Sequence, residues 1–339
     1  MTTPTKSPSA TRRVLTTLVK LGLVFGLLYV LAQRGFLSLK ETANAYDHPL
    51  LTLGGQAIIV GCAVLSAIRW WVLLRATGVE LTLWRTLRLS LIGNFFNIAL
   101  PGAVSGDFVK AFYIAKDVDE RRARVFGTIF FDRILGISAL ALVCAAARLS
   151  GVTFEAPPGV GEALAVFIYA LGGGVLAFYT YLLLVPDDKD LALRIAVALE
   201  ARVKAVGALK EFYLGMRQFR SHPGALLAAM GLSAAIHISV GLACAFFAWA
   251  MGDNALTVTQ VYATAPLGFL VTAVPVSPAG VGTGHAAFLF LFKMVGSARG
   301  ADVFTLFALA QFFTGGIGGL VYLRFKGKEP APTLPAQAG

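Results

Sequence analysis

Gly93-Asn94-Phe95-Phe96-Asn97-Ile98-Ala99-Leu100-Pro101-Gly102-Ala103-Val104-Ser105-Gly106-Asp107 decides how this chain folds. An apolar half leads into a proline and a Gly-rich turn, and a second apolar half opens at a polar residue, Asp107. The segment as a whole, 86–115, is apolar enough for a bilayer, yet both its flanks are basic: Arg75, Arg85 and Arg88 before it, Lys116, Arg121, Arg122 and Arg124 after it. Basic loops stay on the cytoplasmic side of a membrane. A segment that begins and ends on one side cannot cross; it has to dip in and return. The competing reading is a plain spanning helix kinked at Pro101.

A second segment, 258–296, is built the same way. It runs through Pro266-Leu267-Gly268 to Val274-Pro275-Val276-Ser277-Pro278-Ala279-Gly280-Val281-Gly282-Thr283-Gly284-His285. Its flanks, Gly252-Asp253-Asn254 and the connection near Ser297, fall on the outward side by the same count, against the pull of Lys293 and Arg299. Non-helical backbone is tolerated at membrane depth only where protein buries it or a wet cavity solvates it. The second half-helix of each segment turns its free N–H groups and positive dipole end toward that cavity, a setting suited to an anion such as a phosphate. Paired interrupted segments in the two halves of a transporter point to its binding site. The candidate binding residues of the turns are therefore Pro101, Gly102, Gly106 and Asp107 in the first segment. In the second they are Pro275, Ser277, Pro278, Gly280, Gly282, Gly284 and His285. Proline kinks and helix-packing glycines without any ligand are the plainer alternative.

Outward from these segments the chain is apolar almost throughout. Of its 339 residues 57% are hydrophobic and 14% charged, with a mean hydropathy of +0.74; soluble domains carry about 25% charged residues. A soluble enzyme and a nucleic-acid-binding protein are both excluded. Six runs reach the length a spanning helix needs, at roughly 14–32, 51–74, 125–148, 162–185, 225–250 and 302–323. The expected fold is an all-α polytopic membrane protein with about six spanning helices and two re-entrant helical hairpins in an inverted-repeat arrangement. One transmembrane domain, 14–326, lies between a disordered N-terminus, 1–13, and a disordered C-terminus, 327–339. Between the fourth and fifth runs, 187–223 carries Leu191, Ile195, Leu199, Val203 and Val206 at helical spacing, and is expected to form an amphipathic helix or helical pair on the membrane surface.

The 29 Lys and Arg against 18 Asp and Glu cluster in alternate loops, which places both termini in the cytoplasm. The first run is followed by Gln33-Arg34-Gly35 and lacks a small-residue cleavage pattern, so it is expected to stay as a helix rather than leave as a signal peptide. Cys62, Cys144 and Cys244 all lie inside apolar runs and are expected to be small core residues.

Three motifs in order resemble the transmembrane domain of lysylphosphatidylglycerol synthases, also called the flippase-like domain family. Asn97 to Asp107 is similar to its N-x-x-x-P-x-x-x-G-G-(D/E) element, with Ser105 at the first Gly of the pair. Asp132-Arg133-Ile134-Leu135-Gly136 is similar to (E/D)-R-x-x-G, and Pro275 to His285 to P-x-S-P-G-G-x-G-x-x-E, with Ala279 at a family Gly and His285 at the family acid. The similarity runs from about Leu15 to Lys326. In larger members this domain resembles a lipid flippase coupled to a cytosolic aminoacyl-transfer domain. Nothing in this sequence corresponds to that soluble part, so the resemblance implies lipid translocation rather than lipid aminoacylation. It implies a multi-pass protein of the bacterial inner membrane whose partners are membrane phospholipids, with no cofactor; a homodimer or a lipid-biosynthesis partner stays open.

Ionisable groups inside spans line pathways or pair with each other. Asp132 and Arg133 lie two turns into the third run and point some 100° apart, so they look for different partners. Arg133 can take a lipid phosphate or Asp107, and Asp132 can take Lys110 or Arg69. Lys110, one turn beyond Asp107, can reach the same cavity or snorkel to the interface. Asn94 and Asn97 share a face of the first half-helix, to bind a headgroup or to cap broken backbone. His285 is either a titrating group or a satisfied polar residue. His237, on one face with Ser233 and Gly241, is expected to bond between helices, and Arg69 beside Trp70 and Trp71 to anchor at the interface, with contact to a headgroup as its second reading. No Walker A sequence and no hydrolase motif is present. The first functional reading is thus a lipid flippase or transporter. The second is an integral membrane enzyme or accessory subunit acting on lipid-linked (polyprenyl-phosphate) substrates.

Overall fold

The computed structural model describes residues 39–99, 105–115, 122–200, 206–273 and 280–325, with Tyr29 and Gln33 besides. The first apolar run apart from Tyr29, the two termini, and Pro101, Gly102, Pro275, Ser277 and Pro278 lie outside the described residues. Among the described residues the fold is all helical: α1 (Leu39–Asn44), α2 (Pro49–Ala76), α3 (Leu83–Ala99), α4 (Ser105–Ala115), α5 (Arg122–Leu149), α6 (Val160–Leu184), α7 (Leu191–Glu200), α8 (Val206–Arg217), α9 (Pro223–Ala250), α10 (Val258–Ala273), α11 (Thr283–Lys293) and α12 (Gly300–Arg324). Five of these, α2, α5, α6, α9 and α12, contain stretches long and apolar enough to cross a membrane.

The two longest central helices start and stop by the same local chemistry. Both follow a His-Pro pair, His48-Pro49 and His222-Pro223, with proline in the first turn where its missing N–H costs nothing. Both end at a glycine of positive φ, Gly78 (73°) and Gly252 (81°). Beyond it the next N–H reaches back to the helix, Val79 to the Leu74 carbonyl at 3.0 Å and Asp253 to the Ala248 carbonyl at 3.1 Å. These two helices pack against each other along their whole length and run antiparallel. Gly55 meets Phe247 near one end of the pair, and Arg69 meets Ser233 toward the other.

Around that pair three further helices of each half follow in the same order. α3 and α4 follow α2 as α10 and α11 follow α9; α5 then matches α12. The first hairpin leans on α12 and the second on α5, so each half grips the other half's last helix. Because α2 and α9 are antiparallel, the two halves are related by inversion, and the hairpins begin at opposite ends of the bundle. The short members, α4 and α11, have 11 residues each, about 16 Å of helix, roughly half a hydrocarbon core. Both ends of the first hairpin come back together: Leu89 of α3 and Ala111 and Ile114 of α4 share a buried cluster with Trp70, Leu74 and Val79 at the end of α2 and Val125 and Ile129 at the start of α5.

Lipid offers no hydrophobic force between helices, so packing and polar contacts hold the bundle. Small residues permit the closest approaches. A side chain on Gly315 or Gly318 of α12 would collide with Ile98 or with the Leu91 carbonyl of α3. The polar segment after α6 forms the helical pair α7 and α8. It is tied to α6 by the buried carboxylate of Asp190, which accepts from Tyr181 Oη (2.9 Å), Tyr213 Oη (2.6 Å) and the Leu193 N–H (2.9 Å). Burial pushes that carboxyl up, but these hydrogen bonds and the Arg217 guanidinium outweigh it and hold Asp190 below the ordinary carboxylate range.

Candidate functional site

α4 opens against α3 with almost no space between backbones. Gly106 sits on the carbonyl of Gly93, where any side chain would collide, and its N–H is bonded to Asn97 Oδ1 at 2.8 Å. That bond satisfies one of the donors a helix start leaves open, and it fixes where the next residue, Asp107, points. The carboxylate of Asp107 receives Lys110 Nζ at 3.0 Å from its own helix and Arg133 Nε at 2.5 Å from α5. Lys110 is held a second time, its ammonium lying over the Trp70 ring at 5.1 Å. The side chains of Asp107 and Lys110 are 11% and 14% exposed, that of Arg133 38%.

One residue back on α5, Asp132 turns the other way, as the 100° step requires. It is clasped by Arg69 of α2 in two parallel bonds, Nε to Oδ1 at 2.7 Å and Nη2 to Oδ2 at 2.8 Å. The third arm of the same guanidinium, Nη1, donates to Ser233 Oγ of α9 at 2.9 Å. One turn further along α9, His237 Nε2 lies 2.9 Å from the Gly136 carbonyl of α5; since a carbonyl only accepts, that nitrogen carries the proton. Arg69 is therefore no interfacial anchor. It is buried, and it joins both halves of the bundle at their common centre. The adjacent tryptophans carried the expectation to the surface, whereas Trp70 is itself buried and bonds to Thr128 of α5.

The second hairpin places its candidates elsewhere. Gly280 and Gly282 hold φ values of 71° and 90°, a conformation glycine supplies without strain, and α11 begins immediately after. His285 is buried and fully engaged: Nδ1 accepts the Gly282 N–H at 3.2 Å, and Nε2 meets Thr305 Oγ1 at 3.1 Å, whose hydroxyl bonds on to the Ala301 carbonyl. Its ring stands edge-on to Phe304, and Gly284 is the gap that admits the Phe304 ring. Phe269, Phe288, Phe292 and Phe307 complete an aromatic core around it.

Of the sequence-predicted residues, the structure thus gathers Asn97, Gly106, Asp107, Lys110 and Arg133 in one polar cluster. Asp132 lies beside it, on Arg69. Gly280, Gly282, Gly284 and His285 belong to a separate, apolar one. Asn94 contributes its backbone carbonyl to the packing of α12 near Gly315. Trp70 and Ser233 join the polar network without having been singled out as its members; the Ser233–His237 spacing of one helical turn was the only signal for the latter.

The family model described as lysylphosphatidylglycerol synthase TM region matches residues 17–319, and the chain belongs to that family. With its long apolar helices it is a multi-pass membrane protein of a lipid-related family. No curated protein and no solved structure matches the chain.

Proposed function

We propose that this protein moves a phospholipid or related anionic or aminoacylated lipid between leaflets, with the headgroup bound at the polar cluster of the first hairpin and the acyl chains left in the bilayer. The two hairpins would enter the membrane from opposite faces, the first from the basic, cytoplasmic side where both termini lie, and the inverted halves would rock about the α2–α9 contact to expose the site alternately. The observation that carries the reading is the cluster itself. Two cations converge on one carboxylate at the opening of a short helix, within a bundle of apolar helices, and Arg133 remains the more open of the two. Ionisable groups kept at such depth usually mark a substrate path, and an arginine matches a phosphate in charge and in planar geometry.

Support for the lipid as cargo comes from the family and from the two helices that carry the cluster. Phe108 and Phe112 of α4 and Phe130 and Ile137 of α5 are all exposed, apolar side chains that lipid tails can meet. The test is leaflet exchange of tail-labelled lipid in sealed proteoliposomes. Exchange above that of empty vesicles, lost in Arg133→Ala, is the expected result; a rate no greater than that of empty vesicles would sink the proposal.

A further inference from the structure

We propose that α7 is a membrane-surface anchor. Its exposed stripe of Leu191, Ile195, Ala198 and Leu199 lies in the boundary between headgroups and tails of the cytoplasmic leaflet, and α8 carries that seat to the turn of α5 that bears Asp132 and Arg133. The seat stands apart from the transport reading; its effect on lipid exchange rests on that reading.

The helix has two faces. Spacings of four, three and one place Leu191, Ile195, Ala198 and Leu199 within about 100° of one another around α7. All four are exposed, Leu191 at 60%, Ile195 at 50% and Leu199 at 44%. The opposite face, Leu193, Ala196 and Glu200, is half-buried, and from it Glu200 receives Lys210 Nζ of α8 at 2.5 Å. A contiguous apolar stripe marks a surface that something apolar covers. Arg194, also exposed, borders the stripe, as snorkelling basic residues do on interfacial helices.

The ties to α6 decide what that cover is. α6 is long and apolar enough to span a membrane, and its last turn holds both ends of the α7–α8 pair. At the start of α7, Tyr181 Oη donates to the buried Asp190 carboxylate at 2.9 Å and accepts the Ala192 N–H at 3.2 Å. At the end of α8, Arg217 donates to the Leu182 and Val185 carbonyls at 3.2 and 2.8 Å. Arg220, just beyond, donates to that of Leu183 at 3.2 Å. These are carbonyls that a helix end leaves open, at the level where α6 leaves the hydrocarbon. A helical pair stapled at that level, with apolar side chains turned away from the protein, meets lipid. Interfacial helices sink such a face about 5–10 Å into the boundary.

The pair is fixed to α5 as well. The Phe212 ring stands edge-on to Phe130, centroids 6.0 Å apart, and Phe219, just past the end of α8, is stacked on Phe131 at 4.6 Å. The next two residues of α5 are Asp132, on Arg69, and Arg133, on Asp107. A shift of the seat passes through these two ring contacts to the turn that carries both ion pairs.

The test uses the full chain in nanodiscs of phosphatidylcholine and phosphatidylglycerol. An NBD fluorophore is placed on Ile195→Cys or Leu199→Cys and, as the water-facing control, on the exposed position of Glu211→Cys. Cys62, Cys144 and Cys244 are buried, and the unsubstituted chain treated alike gives their background. Spin-labelled lipid should quench the fluorophore at 195 and 199 about twofold more strongly than at 211, with iodide ranking them in reverse. Quenching at 195 and 199 by iodide alone would overturn the seat. So would quenching by neither, the mark of a protein partner or of another part of this chain on the stripe. Lipid exchange in sealed proteoliposomes reads the coupling. Ile195→Ser with Leu199→Ser, both on the exposed face, should keep the unfolding midpoint and lower exchange several-fold. Unchanged exchange beside lipid quenching would overturn the coupling and leave the transport reading in place. No exchange even in the unsubstituted chain would remove the transport reading, and the coupling with it, while the quenching still decides the seat.

Discussion

Lys110 and Phe288 occupy corresponding places in the two hairpins. Each projects from the short second helix into the space left by a glycine on the first, Gly93 for Lys110 and Gly268 for Phe288. One turn earlier on the same helices stand Asp107 and His285. The backbone plan is shared, and what fills it is not. In the first hairpin the filling is ionic, partly open, and linked to α5. In the second it is aromatic, closed, and linked to α12 through Phe304 and Thr305. Inversion alone gives a protein two equivalent halves. This one has kept the frame and filled it with an ion cluster in one half and with aromatic rings in the other; on the proposed reading, binding falls to the first hairpin and bracing to the second.

The comparison breaks most readily at its hinge, the Arg69–Asp132 pair. Asp132→Ala strands a guanidinium that is otherwise bonded on three arms, and removal of one partner from a buried pair costs about 3–5 kcal/mol. Thermal unfolding in detergent should show that loss as a large fall in midpoint, or the variant should fail to accumulate. Replacing both partners together, as Arg69→Met with Asp132→Leu, should recover most of it, because no charge is left behind. A single variant as stable as the native chain would mean that Arg69 finds another acceptor and that the centre is not the ionic lock described.

Next come the two fillings. Phe288 is fully buried among Phe269, Phe292 and Phe304, and Phe288→Ala should cost about 3 kcal/mol while the folded fraction keeps its lipid exchange. Lys110→Ala should do the reverse. Asp107 keeps Arg133, so the loss in stability should be about 1–2 kcal/mol, whereas lipid exchange should fall about tenfold or more. Measuring unfolding midpoint and exchange on both variants separates bracing from binding. If Phe288→Ala loses exchange and Lys110→Ala does not, the roles assigned to the hairpins are inverted.

The broken segments could be read from sequence because proline and clustered glycine are local signals, and because the basic flanks bound them. The members of the polar cluster could be read too: an acid at the opening of a half-helix, a lysine one turn on, and an Asp-Arg pair inside an apolar run are each visible alone. Their partners were less visible. Arg69 had several possible destinations, and its neighbours Trp70 and Trp71 matched an interfacial belt as well as a buried contact; only the antiparallel packing of α2 on α9, and of both on α5, decides it. His285 had no readable partner, since Thr305 and Phe304 lie on a helix that its own sequence neighbourhood does not predict. The doubling of the fold was legible in the paired broken segments, whereas the matching starts and stops of α2 and α9, two His-Pro pairs and two terminal glycines, were too short a pattern to stand out from a chain so rich in alanine, leucine and glycine.

The smallest expected effect concerns how each short helix is started, and it tests the comparison most closely. In the first hairpin the opening N–H, that of Gly106, is satisfied from across the hairpin by Asn97 of α3. In the second the corresponding lock comes from within, His285 of α11 accepting the Gly282 N–H. Removing either acceptor should cost about 1 kcal/mol, the usual worth of a helix start bond. The consequences should nonetheless differ. Asn97→Ala unties α4 from α3 beside Asp107, so the carboxylate loses its fixed direction and exchange should fall several-fold; Asn97→Asp, which still accepts from the Gly106 N–H, should restore the start and most of the exchange. His285→Ala loosens a start that faces only aromatic rings, so stability should drop without a change in lipid exchange. Equal losses of exchange in Asn97→Ala and His285→Ala would mean that the hairpins act as one mechanical unit, and that the placement of the ion cluster in one half is not what divides their work.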